Sequence, residues 1–269
     1  MACDFLKICF AIFMITAFAV TVKADDSAVD TPAAPRHPVS DYLDFDFRIA
    51  NNHLWRGIEV SDGLVMCSSV GVHDPKEYVK VGVWNGTNVT GKYKELNFFA
   101  EFTVQRFKLA FWDTYNFSPD ADYNNKEFFN YKARTTGRFL DCIASYNFGS
   151  AFPLSLTWST IIFGRDRYSL YSSDSKQRYS TYIAAEVRCF DRQSWRVDAA
   201  VGGTFTLARK DGDRSTFYSS RSGIIDVRAT VTRTVRITDR YNIPLSATVM
   251  FNQVENRAYF QVAARVFSF

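Results

Sequence analysis

The chain has 269 residues, 25 of them Phe and 14 Tyr, with a formal net charge of +4 and a slightly negative mean hydropathy of −0.16. Length alone admits one large domain or two ordinary ones. Abundant aromatics at a negative mean hydropathy mean that apolar residues are dispersed among polar ones, and a nearly balanced charge gives nucleic acid no electrostatic basis for binding.

The one long apolar block runs from Phe5 to Val20 and is followed by a small residue at Ala24 and by Asp25-Asp26. This pattern reads as a secretory signal peptide over residues 1–24. Removing it with Lys7, Lys23 and Asp4 leaves 30 basic and 27 acidic residues, and of five cysteines only Cys67, Cys142 and Cys189 remain. Three scattered cysteines make neither a disulfide framework nor a zinc spacing, and no cofactor is expected. Residues 25–42, with three prolines, read as a periplasmic lead-in.

From there onward the hydropathy has period two. Leu96, Phe98, Ala100, Phe102 and Val104 share one strand face, with Asn97, Glu101, Thr103 and Gln105 on the other. The same separation recurs in 106–117, where Phe107, Leu109 and Phe111 oppose Lys108. It recurs in 152–162, where Leu154, Leu156 and Trp158 oppose Ser155 and Thr157, and in 224–238, where Ile225, Val227 and Val231 oppose Asp226, Arg228 and Arg236. About twelve such strands are expected, starting near Phe45, Leu64, Tyr78, Leu96, Arg106, Phe139, Phe152, Tyr179, Trp195, Gly223, Ile243 and Ala258. Many approach the ~9–11 residues that a tilted strand needs to cross a bilayer. The connections alternate between long stretches (57–63, 85–94, 118–137, 164–178, 209–222 and 252–257) and short turns.

A soluble sandwich or small barrel turns its apolar face to a finite core, and the apolar face here is too extensive for one. The opposite face is too charged to be a core. The fold expected is therefore an all-β, antiparallel up-and-down transmembrane barrel over 43–269, apolar face to lipid and polar face to a lumen. The charges assigned to the lumen are Asp46, Arg48, Arg56, Lys80, Glu101, Lys108, Asp141, Glu186, Arg188, Arg196, Asp198, Asp226, Arg228 and Arg236. They lean basic, which predicts a mild preference for anions.

Phe267 and Phe269 at the aromatic end are similar to the C-terminal signal read by the barrel-assembly machinery of bacterial outer membranes. Strict alternation that turned both to lipid would also turn Gln261 and Arg265 outward, so the last strand requires either a bulge or an inward Phe267. Together with the leader and the barrel pattern, Trp55-Arg56-Gly57 resembles the small porin-like proteins of Bacteroidetes-type outer membranes, the TorF-like group. The resemblance implies a porin-like protein in the outer membrane of a Gram-negative bacterium, with lipid around it and small hydrophilic solutes as its cargo. Trp55 is read as a membrane-interface aromatic, Gly57 as a turn residue and Arg56 as a lumen or rim charge.

An outer-membrane hydrolase would need a general base. Of His37, His53 and His73, only His53 lies near a loop, and Ser61 or Ser68 would be the serine it activates. Acids such as Asp44, Asp46 and Glu101 are read as partners of lumen arginines, and no enzymatic activity is expected. Three Asn-x-Ser/Thr sequences begin at Asn85, Asn88 and Asn116 and are read as coincidental. The aromatic stretch 120–137 is expected to pack on itself or over the barrel mouth, with sugar or protein binding as the alternative. The leading function is passive passage of small solutes, and a non-conducting structural or binding barrel is the main rival.

Overall fold

The computed structural model describes residues 41–269, so the expected leader and almost all of the lead-in lie outside the described residues. The elements in chain order are β1 (Leu43–Ala50), β2 (His53–Trp55), β3 (Ile58–Ser61), β4 (Val65–His73), β5 (Val79–Asn88), β6 (Lys94–Val104), β7 (Phe107–Asn116) and β8 (Arg138–Asn147). They continue as β9 (Leu154–Gly164), β10 (Arg167–Tyr168), β11 (Lys176–Gln177), β12 (Ser180–Arg192), β13 (Trp195–Thr206), β14 (Gly223–Thr238), β15 (Tyr241–Asn252) and β16 (Arg257–Ser268). β2 with β3 and β10 with β11 form small separate hairpins; the other twelve strands close into one antiparallel barrel in which β1 pairs with both β4 and β16. Every barrel strand begins within two residues of its expected start. Four long connections, 51–64, 117–137, 165–179 and 207–222, gather at one end of the barrel; 85–94 and 252–257, expected among the long ones, shrink to 89–93 and 253–256 because the flanking strands extend into them, and are no longer than the longest turns at the other end.

Polarity is inverted relative to a soluble barrel. Val70, Val81, Phe102, Trp158, Val249 and Phe260 stand exposed on the outer wall, while Asn97, Asp141, Ser159, Asp226, Thr248 and Gln261 are buried inside. Closure leaves no unpaired edge, so the wall satisfies its own backbone hydrogen bonds all the way round.

The final strand keeps both of its faces by means of a bulge. Phe47 pairs with Phe267 while the next residue, Arg48, pairs with Arg265, so Val266 is the extra residue. Gln261 and Arg265 therefore point inward, where Arg48 donates to Gln261 at 2.7 Å and Arg265 pairs with Asp46. Phe267 and Phe269 remain outside at 52% and 58% exposure, Phe269 stacking on Phe45 with ring centroids 5.8 Å apart.

A second bulge changes an assigned face. Gly202 pairs with Asp226 and Gly203 with Ile224, which leaves Ile225 without a cross-strand partner there. Ile225 was expected on the lipid face with Val227; it is fully buried against Phe139, Ile161, Tyr182 and Tyr218, in an apolar cluster inside the barrel near the long-loop end.

The β16 bulge yields a test. Deleting Val266 restores regular alternation with Arg265 inward and Phe267 outward, so the variant is expected to keep the heat-dependent gel mobility of a folded barrel. Deleting Ala264 instead turns Arg265 to the outer wall, which costs up to ~2–4 kcal/mol at a bilayer midplane and less near the interface, and is expected to lower the folded fraction. Equal loss in both variants would contradict the bulge.

Candidate functional site, the occupied barrel interior

The interior is not an empty tube. The β1–β4 connection turns inward as the β2–β3 hairpin, whose two turn residues both have positive φ, Arg56 at 47° and Gly57 at 81°. This is the backbone that a two-residue hairpin with the twist of its strands requires. Glycine is needed at the second position for space as well, because a Cβ on Gly57 would lie 2.2 Å from the carbonyl oxygen of Ile225.

Arg56 latches the hairpin. One guanidinium nitrogen sits 2.6 Å from Asp141 of β8 and another donates to the Tyr218 hydroxyl at 2.7 Å, with the Trp55 ring 4.8 Å below. Burying an arginine costs several kcal/mol in desolvation, which close pairing and full hydrogen bonding offset. Asn252 donates to the Gly57 carbonyl at 2.9 Å, and at the base of the hairpin Gln261 donates to the Asn52 carbonyl at 2.9 Å. The connection between β13 and β14 also folds inward. Its Tyr218 and Phe217 pack on Trp55 with centroid distances of 5.2 and 6.2 Å, and the Phe217 amide donates to the Ser180 hydroxyl at 2.8 Å. Trp55, expected at the membrane interface, is therefore an interior residue: the hairpin that carries it turns into the barrel, where Phe139, Phe217 and Tyr218 surround it.

The hairpin divides the interior. Toward the short turns lies a cavity of about 1020 Å³, lined among others by Asp44, Asp46, Arg48, Lys80, Glu186, Arg196, Arg228 and Arg265. Beside the hairpin lies a second cavity of about 460 Å³ against β5–β9, where Glu101, Lys108 and Asp141 stand. Trp55, Arg56 and Thr157 border both.

Most interior charges are paired. Lys80 meets Asp44 at 2.9 Å, Lys108 meets Glu101 at 3.4 Å, and Arg228 bridges Asp226 and Glu186. Asp198 faces Arg196 at 2.7 Å and Arg188 at 3.7 Å. Arg48 differs in having an amide, Gln261, as its hydrogen-bond partner. Arg236, assigned to the lumen, stands instead at the short-turn rim, 70% exposed in its side chain and paired with Asp239, because β14 runs on past the cavity.

His53 stacks between Tyr93 and Trp84, with centroids 5.5 and 5.7 Å away. Ser61 contacts its neighbouring backbone and Asn88, and Ser68 receives the Asn85 amide, so neither hydroxyl bonds the imidazole among the described residues. Burial, reinforced by the Arg48 guanidinium, pushes His53 down to about 4. Asn88 and Asn116 are buried and hold turns, Asn88 accepting from the Tyr93 amide and Asn116 from the Ser118 amide. The aromatic stretch 120–137 bonds largely to itself through Asn124 and Asn130. It also reaches the outer wall, where Tyr131 donates to Asp113 at 2.7 Å and Arg138 lies 4.3 Å from the Phe128 ring.

No protein-family model matches the chain, and no curated protein matches it significantly. Solved structures do resemble it. One, from a study of in-meso crystallization of membrane proteins, has a TM-score of 0.46 at 10% identity over 85% of this chain and 84% of its own. Another, an outer membrane channel from Pseudomonas putida F1, has a TM-score of 0.41 at 11% identity over 90% of this chain and all of its own. Neither likeness bears on what passes through the barrel here.

Because the docked hairpin holds His53 neutral, its docking is strongest above the ordinary histidine value of 6.5 and weakens as pH falls from there toward 4. Acrylamide quenching of tryptophan fluorescence is expected to rise between pH 7 and 4.5. The His53→Phe variant, which keeps the stacking and removes the proton site, is expected to lose much of that rise. An identical acid response in the variant would place the effect elsewhere.

Proposed function

We propose that the protein is an outer-membrane channel of a Gram-negative bacterium, non-enzymatic, passing small hydrophilic solutes along a narrow and partly occluded path. The observation that carries this reading is the inverted polarity of a closed wall: exposed Val, Phe, Trp and Leu outside, and buried charged and amide side chains facing two cavities inside. A wall of that kind is stable in lipid and unstable in water. Eight strands give a barrel nearly filled by its own side chains and sixteen to eighteen give an open channel, so at twelve the inward loops decide the aperture. Here the hairpin and the connection carrying Tyr218 set it.

The inner cavity supports an anion preference. Its charged lining comprises Arg48, Arg56, Lys80, Arg196, Arg228 and Arg265 against Asp44, Asp46, Glu186 and Asp191. Arg48 adds to this bias most directly, since among the described residues its charge is not matched by a carboxylate contact. The latch around Arg56 favours a second reading, a closed barrel whose loops serve structure or binding.

Bilayer recording separates the two. The wild type is expected to give small discrete steps with a reversal potential biased to the anion, and Arg48→Ser to weaken that bias. Arg56→Ala, which unlatches the hairpin, is expected to raise the step size severalfold. Folded barrels that give no steps in either form would establish the closed reading. An epitope inserted near Asn124 or Ser173 is expected to be labelled on intact cells, and one near Gln193 is not; the reverse labelling contradicts this orientation.

A further inference from the structure

The cavity beside the hairpin is built unlike the rest of the interior. Three tryptophans line it, Trp55 from the hairpin, Trp84 from β5 and Trp112 from β7, and Trp112 is held by a stack on Phe99 at 4.9 Å. At about 460 Å³ it falls within the size range of small-molecule sites, which are mostly apolar with a few placed polar groups. It adjoins the larger inner cavity at Trp55, Arg56 and Thr157, and an outer recess at Val60, Asn116 and Arg165, so it lies between the two ends of the barrel.

Its charges are unequally satisfied. Arg56 with Asp141 and Lys108 with Glu101 neutralise each other. Glu95 has no ion-pair partner among the described residues. Its two oxygens accept from the side-chain amides of Asn97 at 2.8 Å and Asn116 at 3.3 Å, which orients the carboxyl and leaves acceptor positions open. Arg165, the remaining cation, stands at the outer margin with its guanidinium 3.7 Å from the centre of the Tyr123 ring, its charge turned to an aromatic face.

An oriented acceptor among tryptophan rings selects for a ligand that is flat and carries a hydrogen-bond donor, because the rings supply stacking and attraction for a cation while the carboxyl fixes the donor end. We infer that this cavity is a binding site for small aromatic amines, with Glu95 receiving the amine and Trp84 and Trp112 holding the ring. Given the channel reading on which it rests, the site makes the passage selective at its middle, since a solute that follows the cavities past the hairpin meets it there.

The test uses the purified full barrel in detergent, with tryptophan fluorescence as the readout and benzylamine, benzoate and glucose as probes. Benzylamine is expected to change the emission saturably, benzoate and glucose are not, and Glu95→Gln is expected to weaken benzylamine binding at least tenfold while the heat-dependent gel mobility stays that of the wild type. Trp112→Leu, under the same folding check, is expected to weaken it as well. A saturable response to benzoate equal to that for benzylamine, an unchanged affinity in folded Glu95→Gln, or no saturable response to benzylamine would each overturn the inference. Binding is measured without conduction, so a barrel that binds benzylamine but passes no current refutes the channel reading alone, and one that conducts but does not bind refutes this site alone.

Discussion

The structure depends on closing a backbone ladder. Once β1 pairs with β16, none of the twelve barrel strands has an unpaired side, and the wall needs neither water nor a neighbouring element to satisfy its amides. That frees the side chains to sort by face alone. The outer face can be apolar throughout, as Val70, Phe102 and Phe260 are, and the inner face can hold groups such as Asp226 and Asn97 that would be costly against lipid. Twelve strands enclose more space than wall side chains fill, so connecting segments enter. The β2–β3 hairpin and the residues around Tyr218 form a small apolar core inside a polar lining.

Buried charge then organises the interior. Arg56 can be withdrawn from water only because Asp141 and Tyr218 meet it at hydrogen-bonding distance, and the backbone places it there through a turn that demands glycine at the next position. Sequence-distant partners recur throughout: Arg228 with Glu186, Arg265 with Asp46, Lys80 with Asp44. Such pairing makes the lining stiff and nearly neutral. What stands out chemically is what the pairing among the described residues leaves over, Arg48 in the inner cavity and Glu95 and Arg165 beside the hairpin.

The barrel was legible because its signal is local. Alternation along a strand reports which face meets lipid, and loop lengths report which end is which; neither needs knowledge of a partner. Charges at regular wall positions, such as Lys80, Asp198 and Arg228, stand on the inner face, and irregularities break that rule. Period two puts Ile225 on the lipid-facing side because nothing in it announces a bulge. The end of β16 posed that choice openly, since Gln261, Arg265, Phe267 and Phe269 cannot all be placed well on one regular strand. Trp55-Arg56-Gly57 signals a turn but not its direction, so the sequence alone points Trp55 to the membrane interface and not into the barrel. Arg236 has the correct parity for the lumen, yet parity does not say how far β14 extends past it.

The sequence by itself therefore determined the strand number, the inverted polarity and the two unlike ends, since these follow from the chemistry of residues two apart and from the lengths between strands. Only the tertiary structure decided that the first long connection folds inside, that Arg56 reaches Asp141 and Tyr218, and that Glu95 shares a cavity with Trp55, Trp84 and Trp112. The physical reason is distance along the chain: those contacts join segments up to 162 residues apart, and they arise from the space that closure encloses, a property of the whole ring of strands that no single strand encodes.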